Sequence, residues 1–283
     1  MTLYAAPFTH YDYTPMPILL LIRHATNDFV KTGRLPGHSP GIHLNEEGRA
    51  QATALGKTLA TRKIDAVYAS HLERAIETAL YVAQPHGLPI NIRPGLADID
   101  NGDLTGRTIK EVSEDEKTKD LWKVVIENPS EAHFPNGEGM LAMQQRFVAA
   151  LEAIAAAHPD EKAPETAAPK AATTDDGGPT TVDASNVKRE PAERQADRPP
   201  TTETQGTAPS PHHPTTPPPP SKTIAIVAHS DVIKSALAHF LGMPFNLFQR
   251  LGTSPASIST IMINTDEKTG QQHIMVQNVN YTV

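Results

Sequence analysis

The sequence contains no cysteine. Disulfides and thiolate metal sites are therefore excluded, and the redox compartment is left open. No apolar run approaches the ~20 residues needed to cross a bilayer. There is no basic excess either. The formal net charge is −7 over 283 residues, which provides no electrostatic footprint for nucleic acid or an anionic membrane. The opening stretch MTLYAAPFTHYDYTPM has neither a basic start nor an apolar segment, so no secretory signal is expected. These absences leave a cytoplasmic protein as the expectation. Met16-Pro17 directly precedes the first apolar run, so residues 1–16 read as an N-terminal extension, or translation starts at Met16.

A second kind of absence divides the chain. Residues 160–221 contain no Phe, Tyr or Trp and no Leu, Ile or Met, and they end in PSPHHPTTPPPPS. Such a segment cannot bury enough apolar surface to offset an ordering entropy of ~1–2 kcal/mol per residue. It reads as a disordered Pro/Ala/Thr-rich insert, with His212 and His213 as solvated side chains rather than metal ligands. About 205 residues remain on its two sides, 17–159 and 222–283, enough for a sizeable core.

Those residues alternate between strand and helix patterns. ILLLIR (18–23) is a buried strand. NEEGRAQATALGKTLATR is a helix with Asn45 at its N-cap and acids in its first turn. DAVYAS, PINIR, TIAIVAH, SISTIMIN and HIMVQNV read as further strands. HLERAIETALYVAQPHG, two short pieces around 109–116 and 120–127, GEGMLAMQQRFVAALEAIAAAH and DVIKSALAHFLG read as helices. This order predicts a three-layer α/β fold, a mostly parallel sheet with helices on both faces. The insert falls where a short helix-to-strand loop belongs, so it interrupts one domain. Closure entropy grows only logarithmically with loop length, which makes that tolerable.

In open α/β sheets, ligands bind beyond the carboxyl ends of the strands. Strand one ends at Arg23 and His24. Strand two leads to Ser70, His71 and, one helical turn on, Arg74. Strand three precedes Asp98, Asp100 and Asp103, and the strand after the insert ends at His229. Each has a bland reading alone. Arg23 is a solvated strand end, and His24 and His229 are satisfied core histidines. Arg74 is a helix-surface charge paired with Glu73 or Glu77, and Asp98 is a turn former. Together they make a phosphate site. Arginine's fork matches phosphate oxygens, a neutral imidazole attacks phosphorus, and a carboxylic acid protonates a leaving alkoxide.

At these residues LLIRHAT resembles the first motif of the histidine phosphatase superfamily, the phosphoglycerate mutase-like enzymes. YASHLERAIETA, GLADIDNGDLTGRT, FPNGEG and IAIVAHSDVIKSAL resemble its later motifs, in the right order. The resemblance implies a phosphoglycerate mutase-like fold. It makes His24 the nucleophile, Asp98 the proton donor with Asp100 and Asp103 as rivals, and Arg23, Arg74 and a cationic His229 the phosphate clamp. It implies no cofactor and no metal, and it requires a neutral His24, held so by the cations beside it. The chain departs from the family pattern at Ala25 and Ser230, where glycine is usual, and at Asp98, where glutamate is usual. At Val30 the family often has asparagine, so that contact is either missing or supplied by Thr26 or Asn27. The implied reaction is hydrolysis of a small phosphorylated metabolite, closest to the broad-specificity phosphatase branch. A phosphoglycerate mutase and a catalytically silent phosphate-binding scaffold are the alternatives. Residues 104–137 form a modest cap, and His38 and His43 in GRLPGHSPGIH are solvated or line the pocket. Substrate and oligomeric state are left open.

Overall fold

The computed structural model describes residues 16–159, 221–266 and 269–283. The expectations for residues 1–15 and for the insert, including His212 and His213, lie outside them.

Four consecutive side chains of β1 (Ile18–Arg23), Leu19 to Ile22, are at most 1% exposed. That demands cover on both faces, and alternation supplies it. Leu19 and Leu21 point into one apolar cluster, and Leu20 and Ile22 into another. The same division runs through β2 (Ala66–Ala69) and β4 (Thr223–Ala228), where Tyr68 and Ile226 enter the first cluster and Val67 and Val227 the second. Each such side chain contributes about 1.5–3 kcal/mol on burial.

The helices close these two layers. On one face lie α2 (Glu46–Leu59) and α3 (Glu73–Ala83), which bury Leu55 and Leu59 and, from α3, Ala79 and Val82. On the other lie α6 (Met140–Ala156) and α7 (Ser230–Phe240). Their stripes, Met143, Phe147 and Leu151 on α6 and Val232, Ile233 and Leu237 on α7, recur at the spacing of one helix face. Asn45 caps α2 by accepting from Gly48 N, with Glu46 and Glu47 in the first turn, as its sequence predicts. Two elements escape the hydrophobic pattern. They are the five-residue α1 (Asp28–Thr32), capped by the Asn27 side chain, and a 3₁₀ segment at Phe245–Arg250.

With β3 (Ile90–Ile92), β5 (Ile258–Thr265) and β6 (Gln272–Tyr281), the six strands run in the order β3-β2-β4-β1-β5-β6. The pairs β3–β2, β2–β4 and β4–β1 are parallel, and β1–β5 and β5–β6 are antiparallel. The sheet is therefore mostly parallel with antiparallel strands at one edge. Residues 160–220 precede β4, yet β4 lies between β2 and β1, so sequence from both sides of them builds one sheet. The 104–137 segment carries α4 (Ile109–Glu114) and α5 (Lys119–Glu127). It is stitched to the 33–37 loop by Leu35 N→Arg107 O and Gly106 N→Leu35 O bonds of 2.9 and 2.8 Å. Among the described residues no helix is long and apolar enough to cross a membrane.

Candidate active site

Sheet register delivers the first pair of residues. Arg23 of β1 is in register with Ala228 of β4, and the next residue on each strand is a histidine. The ladder extends one step further, because His24 N donates to Ala228 O at 2.9 Å. Neighbouring parallel strands lie about 4.8 Å apart, so the two imidazoles must meet. Their ring centroids are 5.2 Å apart, and both side chains are buried.

His24 has a defined tautomer. Its Nδ1 lies 2.8 Å from the carbonyl of Ala25, an oxygen that can only accept, so Nδ1 carries the proton and Nε2 keeps its lone pair. Ala25 causes no strain where the family pattern has glycine. It is not among the residues with positive φ, its methyl packs in the α2–α3 core, and its N–H donates to Thr78 Oγ1 at 3.0 Å. The His24 pKa is pushed well below the ordinary imidazole value, first by burial and then by His229, Arg74 and Arg23. The sequence expectation assigned that effect to the cationic neighbours alone, but removal from water is the larger cause.

Arg74 is fully buried, so its bland reading as a surface charge fails. Glu73 and Glu77 instead brace the 41–44 loop by accepting from Gly41 N and Leu44 N, and Glu77 also pairs with exposed His43. Arg74 Nη2 donates to the carbonyl of Gly37 at 3.0 Å and to Asp98 Oδ2 at 3.1 Å. Asp98 Oδ2 also stands 3.5 Å from His229 Nδ1. Of the three aspartates in the loop, Asp98 is the one bonded to this cluster. Asp100 accepts from Gly102 N within its own turn, and exposed Asp103 is held by Asn136 Nδ2.

His229 differs from expectation. Burial, then Arg74, His38, Arg23 and Arg146, push its pKa well below the ordinary value. A cationic His229 therefore needs an anion beside it.

The second arginine enters from the rim. Arg23 Nη1 donates to the carbonyl of Thr253 at 2.6 Å, and Thr253 Oγ1 shares a 2.9 Å hydrogen bond with Ser230 Oγ. Ser230, the second departure from the glycine pattern, thus tethers the loop that holds Arg23. Thr26 and Asn27 follow His24 in the same loop, and both are buried. Thr26 N donates to Gln51 Oε1. A Cβ on Gly48 would come within 1.9 Å of Thr26 O, so only glycine lets α2 approach this loop. Asn27 Oδ1 is committed to Val30 N.

What remains free is informative. The buried side-chain nitrogens without a hydrogen-bond partner include Arg23 Nε, Asn27 Nδ2, Arg74 Nε and Nη1, and both ring nitrogens of His229. Buried polar groups are normally paired, so a concentration of spare donors in one region points to an anion that satisfies them. A surface groove of about 430 Å³ beside Asp28, Lys31, Asn45, Glu46 and Glu47 contains none of these groups. Among the described residues no group of three or more His, Asp or Glu side chains is arranged to hold a metal ion.

The sequence pattern of the histidine phosphatase superfamily, branch 1, matches residues 19–164 and 217–274. The chain belongs to that superfamily. The match omits 165–216, most of the low-complexity stretch. Among curated histidine phosphatase relatives, phosphoserine phosphatase 1 of Hydrogenobacter thermophilus is 30% identical over 140 residues, covering 50% of this chain and 65% of that protein. The metal-independent phosphoserine phosphatase of Arabidopsis thaliana is 32% identical over 147 residues, 51% and 60% of the two chains. The mycobacterial glucosyl-3-phosphoglycerate phosphatase shares the fold with a TM-score of 0.66, at 19% identity over 94% of this chain and 99% of that one.

Two further side chains contribute: His38, which the sequence left as solvated or pocket-lining, and Arg146, which it did not single out. His38 Nε2 donates to the carbonyl of Asp98 at 2.8 Å, and its ring meets that of His71 at 5.9 Å. Arg146 of α6 reaches the same carbonyl. Neither carries a local signal, because each acts across more than 45 residues of sequence.

Proposed function

We propose that the protein is a phosphomonoester hydrolase that passes the phosphoryl group through His24. The observation that carries this reading is the set of unpaired buried donors on Arg23, Asn27, Arg74 and His229 beside a neutral imidazole with a free Nε2. In the first step Nε2 attacks phosphorus in line as the ester P–O bond breaks. Asp98, in its acid form, gives its proton to the departing oxygen. In the second step water attacks the phosphohistidine, the P–N bond breaks and the Asp98 carboxylate takes the water's proton. Inorganic phosphate leaves, and both residues are restored. Arg23, Arg74 and His229, which protonates as the dianion enters, balance charge on the equatorial oxygens. In phosphoryl transfer such positioning and electrostatics do most of the catalysis. Asn27 Nδ2 takes the contact that the family's asparagine, replaced here by Val30, would make.

The names of the relatives direct the search for a substrate to small phosphorylated amino acids and hydroxy acids, phosphoserine first. Hydrolysis of p-nitrophenyl phosphate in the presence of EDTA, followed by a panel of phosphorylated metabolites, tests the reading. No turnover would favour a silent phosphate-binding protein. Interconversion of 3- and 2-phosphoglycerate with slow hydrolysis would favour the mutase.

A further inference from the structure

Arg146 lies one helical turn or more inside α6, some 50 residues along the chain from Asp98, and its guanidinium is fully used. An arginine has five N–H donors in a fixed fork. Nε and Nη2 bind the two oxygens of Glu138 at 2.8 Å each. Nη1 donates to the carbonyls of Gly95 and Ala97 at 2.9 and 3.1 Å, and Nη2 donates to that of Asp98 at 3.1 Å. Glu138 is itself anchored. Its N–H donates to Asp100 O at 2.9 Å, and Asp103 N donates to Pro135 O at 2.9 Å. The 98–103 loop and the 134–138 turn are also in direct backbone contact, since a Cβ on Gly102 would lie 2.0 Å from Pro135 O. No strand ladder holds residues 95–98. Beside its own turn bonds, Leu96 N→Arg93 O and Ala97 N→Pro94 O, and the His38 bond to Asp98 O, their main chain is held by one guanidinium that bridges three carbonyls and is itself bound by Glu138.

We propose that Arg146, oriented by Glu138, is a positioning residue for proton transfer: by fixing the main chain of Gly95–Asp98 it aims the Asp98 carboxyl at the leaving oxygen. The inference rests on the hydrolase reading above and on Asp98 as its acid. Arg146 touches neither phosphate nor leaving group, so its effect must pass through Asp98. Lysine would preserve the charge but not the fork, because a single ammonium cannot span three carbonyls and a bidentate carboxylate.

The leaving group separates this role from a general structural one. An alkyl alcohol departs only with a proton, whereas p-nitrophenolate leaves without one. The measurement is kcat/KM of Arg146→Lys and Arg146→Gln for an alkyl phosphate and for p-nitrophenyl phosphate, with Asp98→Asn as the benchmark and thermal unfolding as the control. We expect Arg146→Lys to lose about 100-fold on the alkyl ester, the scale of a 1 Å misplacement, but only a few-fold on the nitrophenyl ester. Inhibition by inorganic phosphate should be unchanged. Adding Arg146→Lys to Asp98→Asn should cost little more. Full activity in Arg146→Lys with loss in Arg146→Gln would mean that charge alone matters, and would overturn the proposal. So would equal losses on both esters while Asp98→Asn remains selective. If Asp98→Asn shows no selectivity, the acid assignment fails and this inference fails with it. If wild type hydrolyses neither ester, the hydrolase reading itself fails. Should Arg146→Lys not fold, Glu138→Gln takes its place, with a smaller loss of the same selectivity expected.

Discussion

His24 and His229 stand at the ends of neighbouring strands, whereas Asp98 stands in a loop that no ladder supports. The two sides of the pocket are therefore held by different forces. On the strand side, the β1–β4 register sets the imidazoles next to each other, and dozens of buried contacts beneath them oppose any shift. On the loop side, a few polar contacts from Arg146, Arg74 and His38 locate the carboxylate. The first arrangement is stiff and tolerant of single changes in its surroundings. The second depends on individual side chains.

The comparison is tested most severely by His24→Ala. Turnover should disappear, since His229, the other buried imidazole, takes up a proton as the dianion enters and then has no lone pair for phosphorus, while the unfolding midpoint changes little or rises. Residual phosphatase activity above background in the purified variant would remove His24 from the reaction. The loop-side counterpart is Asp98→Asn. General acid–base catalysis contributes about 10²–10⁴-fold, and the loss should lie in that range on alkyl phosphates. If the rate stays within a few-fold of wild type, the proton comes from elsewhere.

Much of the strand side was legible in the sequence. Each of its residues adjoins a local signal, such as the apolar run ending at Arg23-His24, the run ending at His229, or the amphipathic helix carrying Arg74. Parallel pairing of adjacent strands does the rest. Asp98 was legible only through its motif, and two aspartates within five residues competed with it until their partners, Gly102 N and Asn136, were seen. The role of the braces was not legible, although Glu138 falls in the FPNGEG motif. Glu138 and Arg146 are eight residues apart, and nothing in helix periodicity says that the pair closes on a loop some 50 residues upstream. Helix α1 was missed because five residues are too few to show a period.

A prediction of intermediate size concerns pH and again contrasts the two sides. His24 and His229 both have pKa values pushed well below the ordinary value in the folded chain, chiefly by burial. Below about pH 6.5 the unfolded chain binds protons that the folded chain refuses, so stability must fall with falling pH. Exposed His71 and half-buried His158 act in the same direction, while exposed His43, raised by Glu77, opposes them weakly. Each refused proton adds to the dependence, so stability falls as the pH drops below the ordinary imidazole value. Urea titrations at several pH values read this directly. The slope should shrink in His229→Asn. An unchanged slope would mean that His229 is protonated in the fold.

The smallest effect is expected at Ser230. Its hydroxyl bonds Thr253, whose carbonyl takes Arg23 Nη1, so the tether acts on a residue already fixed at the end of β1. Removing one neutral hydrogen bond costs about 0.5–1.5 kcal/mol. In Ser230→Ala that loss reaches the phosphate only through the freedom it allows the Thr253 loop. KM and the inhibition constant for inorganic phosphate should rise by a few-fold, kcat should barely move, and alkyl and nitrophenyl esters should be affected alike. The uniformity matters more than the size. A loosened Arg23 weakens the grip on phosphate in every substrate, whereas a loosened Asp98 penalises only those substrates whose leaving group needs a proton. If Ser230→Ala discriminated between leaving groups as Asp98→Asn does, the two sides would be mechanically coupled and the division drawn here would be wrong.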